Sequence, residues 1–325
     1  MSSVPARLLP LLFALIATPA LAGAISGTVF DRTAKGPAPK VEVLLFRPEA
    51  PEPIDRAVSD AKGKFGFRNV APGGYVLGAS HLGVPYVRRD VRLAADSPVI
   101  TVNLDVYQAT TDASTVSIDG DHLLLQPQGK GVRAIEIVIY NNTGNRTYLG
   151  EATPASPTGN RLVVSLPEGY TDLDGPEGFR ERIASHTETG FDLALPLPPG
   201  QTQVAFTYGL PGGILGVDLA RRFPFPVKSA SVLLPATGGW RVRSGDLERT
   251  QKRTLEGKAY QVASGGPFAP GRVVSARAST GLLGTGVSSR RAAWGAGGVV
   301  IAGLSFAWIL RQGRAASGGA AGGTA

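Results

Sequence analysis

Few residues of this chain could do chemistry. It has three histidines, His81, His122 and His186, and no cysteine, which excludes thiolate nucleophiles, disulfides and sulfur-ligated metals. None of the histidines opens an H-x-x-E metal-ligand pair, and the sequence contains no H-E-x-x-H, no G-x-S-x-G elbow and no phosphate-binding G-x-x-x-x-G-K-[ST] loop. A Ser-His-Asp set needs only one histidine and is recognised by geometry, not spacing. An envelope hydrolase with its site in residues 114–279 therefore stays open, although each histidine reads first as a surface or strand residue.

The carboxylates raise a second question. Asp172, Asp174 and Glu177 lie in YTDLDGPEG, and alternating carboxylates beside a glycine could offer oxygen ligands to Ca²⁺. The twelve-residue calcium-loop spacing is missing, so a solvated loop is expected. Asp119 and Asp121 beside His122 receive the same reading. Leu234-Pro235-Ala236-Thr237-Gly238 spells the pentapeptide that sortases cleave, but residues 239–291 separate it from the C-terminal apolar stretch it should directly precede. It reads as a strand running into a turn. Asn141 and Asn145 open N-x-T sequons, which matter only in a glycosylating host, and the Arg-, Ala- and Gly-rich composition points to a bacterium. No catalytic residue, metal or cofactor is expected.

The elements that must carry these residues are strands. The 325 residues include 43 Gly and 25 Pro and are 43% hydrophobic, which excludes wholesale disorder and suits short strands joined by tight turns. In GAISGTVFD, Ile25 and Val29 face one side. A strand from Lys40 to Arg47 stops at Pro48. Asp60-Ala61-Lys62-Gly63 fits a type I turn, after which Phe65 and Phe67 share a face. Ala71-Pro72-Gly73-Gly74 makes the next turn, Tyr75, Leu77 and Ala79 form another inward row, and VITVNLDV closes the module near Tyr107.

The order Gly27-x-Val29, Asp60-x-x-Gly63-x-Phe65-x-Phe67, Val70-x-Pro72-Gly73-x-Tyr75 resembles the carboxypeptidase regulatory-like domain. The resemblance covers residues 24–107 and implies a transthyretin-like β-sandwich of about seven strands. It implies little about function, because such modules are attached to many exported proteins.

Residues 114–279 read as a second β-rich region of one or two sandwiches, with a split near 211. Its strands include HLLLQPQ, VRAIEIVIY, RLVVSLPEG, TQVAFTYGLP, Ala230 to Leu234 and Trp240 to Arg243. Charge is uneven. Residues 23–210 hold 17 Lys/Arg against 21 Asp/Glu, net −4, whereas residues 211–291 hold 13 against 4, net +9. The basic part could rest on anionic headgroups or be an ordinary solvated surface; nucleic acid is not expected for an exported chain.

Both ends speak of export. Arg7, the apolar run Leu8 to Ala17 and Ala20-Leu21-Ala22 form a secretory signal pattern over residues 1–22, with cleavage before Gly23. Residues 292–310, AAWGAGGVVIAGLSFAWIL, carry no charge over nineteen positions, enough for a transmembrane helix of roughly 28 Å. Trp294 and Trp308 sit where interfacial anchors belong. The expected fold class is thus all-β: tandem β-sandwich domains, a linker at 280–291, a single C-terminal transmembrane helix and a cytoplasmic tail at 311–325. Residues 23–291 would lie in the periplasm or outside the cell. Two functional classes follow: a non-enzymatic module for protein interaction or scaffolding in the cell envelope, or a carbohydrate- or peptidoglycan-binding surface module. For the second, Tyr75 and Tyr86 are the first module's few aromatics, and Tyr75 reads better as core.

Overall fold

A computed structural model describes residues 23–48, 50–150, 161–255 and 257–280. The expected signal peptide at 1–22, the transmembrane stretch 292–310 with Trp294 and Trp308, and the tail lie outside the described residues, as does almost all of the linker. The described residues are all-β. Their one helical element is a three-residue 3₁₀ turn, Arg180–Arg182, and no described helix is long and apolar enough to cross a membrane. The described residues divide into two compact units, one of residues 23–81 with Pro85–Val106, the other of Leu82–Val84 and residues 107–280.

The first unit is built on Gly23–Asp31, whose side chains alternate strictly between buried and half-buried, as the two-residue period of a one-sided strand requires. It pairs antiparallel with Lys64–Val70 and Gly36–Pro37, and parallel with Val99–Thr101 and Leu104–Val106. The last two are a single expected strand, broken in the structure. A four-stranded sheet in the order Asp55–Val58, Glu42–Phe46, Gly73–His81, Val84–Leu93 supplies the other strands. Ile25, Val29, Phe65, Phe67, Tyr75, Leu77 and Ala79 are all buried, so the motif positions are core positions. The Asp60 carboxylate accepts hydrogen bonds from the backbone N–H of Lys62 and Lys64, both at 2.8 Å, and Gly63 adopts φ +73°. These bonds close the turn and hold the Asp60 carboxyl below the usual range. Gly27 makes room for backbone instead. A Cβ there would lie 1.9 Å from the Val102 carbonyl oxygen, so only glycine lets the returning chain cross.

The second unit centres on a seven-stranded sheet in the order Thr171–Asp174, Gly200–Leu210, Gly131–Asn142, Val116–Gln128, Ala230–Pro235, Lys258–Gly265, Arg249–Leu255. All of its pairings are antiparallel except that of Val116–Gln128 with Ala230–Pro235. Small sheets pack over one face, among them Leu162–Ser165 with Gly190–Leu193 and Ile183–Thr187, and Val217–Asp218 with Arg277–Thr280 and Trp240–Arg243. One apolar core runs from Val116 to Ala278 between these layers. Its centre is aromatic: Phe191 meets Phe206 edge-on with centroids 5.3 Å apart, and Phe206 stacks on Tyr208. Each such pair adds about 1 kcal/mol to the burial of its rings.

Candidate functional site

An open groove of about 550 Å³ lies at one margin of the large sheet, lined by Glu168–Leu173 and His186–Glu188. The local sequence explains its shape. Thr171–Asp174 pairs with Gly200–Leu210 only at Thr171 and Asp174, with an irregularity between them, and Asp172 takes φ +50° there, a region that aspartate tolerates better than most residues. Arg133 fixes this bend. One guanidinium nitrogen donates to the Asp172 carbonyl at 3.2 Å, and another to the Thr207 hydroxyl at 2.5 Å.

Tyr170 joins the two walls. Its hydroxyl lies 2.6 Å from the Gly190 carbonyl oxygen, 3.1 Å from that of Thr187 and 3.3 Å from Nδ1 of His186, while its ring packs edge-on against Tyr208. Burial pushes the phenol up, so it stays a neutral donor at physiological pH. With Glu168, Asp172, Glu188 and exposed His186, the groove offers acceptors, an imidazole and one aromatic edge. That set can hydrogen-bond a polyhydroxylated or amide-bearing ligand.

The expected calcium candidates divide here. Asp172 lines the groove and accepts from the Thr171 hydroxyl at 3.1 Å. Asp174 is engaged by Arg180 Nε at 3.0 Å, which, with the Gly175 N–H, keeps its carboxyl below the usual range. Glu177 is exposed in the following turn. Among the described residues, no group of three or more His, Asp or Glu side chains is arranged to hold a metal ion.

The remaining candidates are tied into structure. Asp119 accepts from Lys228 Nζ at 2.5 Å and Gln201 Nε2 at 2.7 Å, with Asn141 at 3.4 Å. Burial raises its carboxyl, and these partners together bring it below the usual value. His122 is half-buried, with Nδ1 2.8 Å from the Ser231 hydroxyl, and desolvation lowers its basicity. His81 Nε2 lies 3.4 Å from Asp31, whose carboxyl also accepts the N–H of Thr33 and Ala34. Leu234 of the LPATG segment is fully buried in the large sheet, inaccessible to a sortase cleft. Tyr75 and Tyr86 are both buried; as sugar platforms they are withdrawn, because their rings fill the first unit's core.

Asp121 belongs to a constellation that the sequence did not reveal. Arg221, in the two-residue strand Arg221–Arg222, reaches into the core. It donates to Asp121 at 2.7 Å and to Glu136 through a very short contact, while the Tyr208 hydroxyl donates to Glu136 at 2.6 Å. All four are buried. Burial, together with the Asp121 charge, pushes the Glu136 carboxyl up to about 7 in spite of the guanidinium. Two carboxylates share one cation in a low-dielectric core, so one of them favours its neutral form.

Residues 24–107 match the family model of the carboxypeptidase regulatory-like domain, and the first unit is such a domain. The sequence has no match among curated proteins. Among solved structures, the chain is similar to a candidate carbohydrate-binding protein of Pseudomonas aeruginosa, at 16% identity over 28% of this chain and 92% of that one, with TM-score 0.19. It is similar to another of Bacteroides uniformis, at 7% over 78% and 98%, with TM-score 0.22. A third is the major pilin subunit BcpA of Bacillus cereus, at 11% over 79% and 85%, with TM-score 0.22. Scores this low carry no inference about function.

Proposed function

We propose that this is a non-enzymatic, exported protein, anchored by residues 292–310, whose β units serve protein interaction or scaffolding in the cell envelope. In this reading residues 1–22 are removed, residues 23–291 stand outside the cytoplasm, and residues 311–325 lie within it. One observation carries the non-enzymatic part. Four of the groups that could do chemistry are taken up by structural partners: Asp119 by Lys228, Asp174 by Arg180, His122 by Ser231 and Asp121 by Arg221. A regulatory-like domain at residues 24–107 fits an exported module. Alkaline carbonate extraction of membranes tests the anchor, and intact mass tests the cleavage. Retention in the pellet with a chain beginning at Gly23 is expected; release into the supernatant, or an uncleaved N-terminus, contradicts the reading.

The groove favours a second reading, a carbohydrate- or peptidoglycan-binding module, because Tyr170, His186 and Glu188 bring an aromatic edge and polar groups to one open surface. Co-sedimentation with purified cell-wall sacculi tests it. Binding that His186→Ala and Glu188→Gln together reduce about tenfold, the loss of roughly 1.4 kcal/mol, supports it. Binding indifferent to both substitutions removes the groove from consideration.

A further inference from the structure

The two most exposed large apolar side chains among the described residues are neighbours: Ile214, at 105% relative exposure, and Leu215, at 70%. They form the tip of the turn Gly213–Gly216, whose two glycines exchange N–H···O bonds of 2.9 and 3.1 Å. The turn is held at both bases. A Cβ at Gly212 would lie 1.6 Å from the Lys130 carbonyl oxygen, and one at Gly216 would lie 2.3 Å from that of Ala278. Backbone therefore meets backbone at each root, and the apolar pair is presented by a defined support.

Strand register locates this tip. Leu210 pairs with Val132, placing the 211–216 segment beside the Gln128–Gly131 turn. Val217 pairs with Ala278, and Trp240 with Thr280, so the chain leaves the described structure at this same end of the second unit. Pro235 pairs with Tyr260, and Leu255 with Lys258, which brings the 236–239 turn and the paired Leu255 and Lys258 there too. Exposed Lys130, Arg241, Arg253 and Lys258 stand at or within a few residues of this end; Glu168, beside Gly169 and Pro211, and Asp218, paired with Arg277, are acidic residues there.

We infer that the Ile214–Leu215 tip is a second membrane contact, inserting into the interface of the anionic bilayer that holds the chain. This rests on the anchoring reading. Residues 281–291 are eleven positions between the last described residue and the uncharged stretch, and eleven residues can reach at most about 40 Å. That reach keeps this end of the unit near the bilayer without forcing contact. Adjacent aliphatic residues on an exposed tip, at the end of the unit that carries these cations, complete the contact with acyl chains and anionic headgroups.

The chain has no cysteine, so Leu215→Cys places a single environment-sensitive fluorophore at the tip. Asn145→Cys places one beyond the far end of the 131–142 strand. Full-length protein is reconstituted into vesicles of phosphatidylcholine and phosphatidylglycerol, and retention is checked by carbonate wash. The label at 215 is expected to emit at shorter wavelength and to be quenched by phospholipids brominated near the headgroup, while the label at 145 is not. Retention with neither label quenched overturns the inference and leaves the anchor standing. Loss of the protein in the wash overturns both. A shift at 215 that grows with protein concentration and ignores brominated lipid assigns the tip to a second copy, against the inference.

Discussion

The Arg221 guanidinium lies 2.7 Å from the Asp121 carboxylate inside the apolar core of the second unit, 100 residues away in sequence. The same guanidinium reaches Glu136 and sits over the Phe223 ring, 4.9 Å from its centroid. A pair of this kind is costly to bury and more costly to break, because removing one partner strands the other's charge.

Arg221→Met is therefore expected to destabilise the second unit by about 3–5 kcal/mol. Adding Asp121→Asn and Glu136→Gln to the same chain is expected to recover most of that loss. Urea unfolding followed by fluorescence checks both; equal stability of the single and triple variants would show that charge is not the cause.

Glu136 also makes stability depend on pH. Its folded value of about 7 lies above its ordinary 4.5, so the folded state holds the proton more tightly. The stabilisation is complete below about 4.5 and is lost as pH rises toward 7, a change on the order of 3 kcal/mol from this carboxyl. Asp121, Arg221, Tyr208 and Tyr140 are the titratable groups around it. Glu136→Gln should flatten the slope in urea unfolding between pH 5 and 7; an unchanged slope assigns the effect elsewhere.

In the first unit, Gly27→Ala forces a methyl group onto the Val102 carbonyl oxygen. The expected cost is about 2–3 kcal/mol, read as a lower Tm. Gly36→Ala, where no atom lies within 4 Å, should change Tm little.

Tyr75→Phe removes the hydrogen bond from the phenol to the Ala71 carbonyl, 2.5 Å long, and leaves the ring in place. About 1 kcal/mol is expected, measurable as a shift in the urea midpoint at unchanged slope. A cost of several kcal/mol would mean that the ring itself had moved.

The first unit was legible because its strands are half-buried and speak in a two-residue period: Ile25 and Val29, Phe65 and Phe67, Tyr75 and Leu77. The edge hairpin of the second unit was not. In Arg249–Leu255 every side chain but the last is exposed, and such charged edges carry no apolar alternation. Arg221 was equally silent, since a two-residue strand has no period and its partners lie far away in sequence. The acidic run at 172–177 was visible, but Asp174 is paired with Arg180, six residues on. Ile214-Leu215 did leave a trace, two large aliphatics inside the turn composition PGGILG, where polar residues are usual.

Cross-linking in intact membranes, with mass spectrometry of whatever is joined to the full-length chain, tests the central claim most directly. The account predicts a reproducible envelope protein, linked through lysines of residues 23–280. Capture of no protein, with the 23–291 fragment instead sedimenting with cell-wall material, would contradict it and put the binding module in its place.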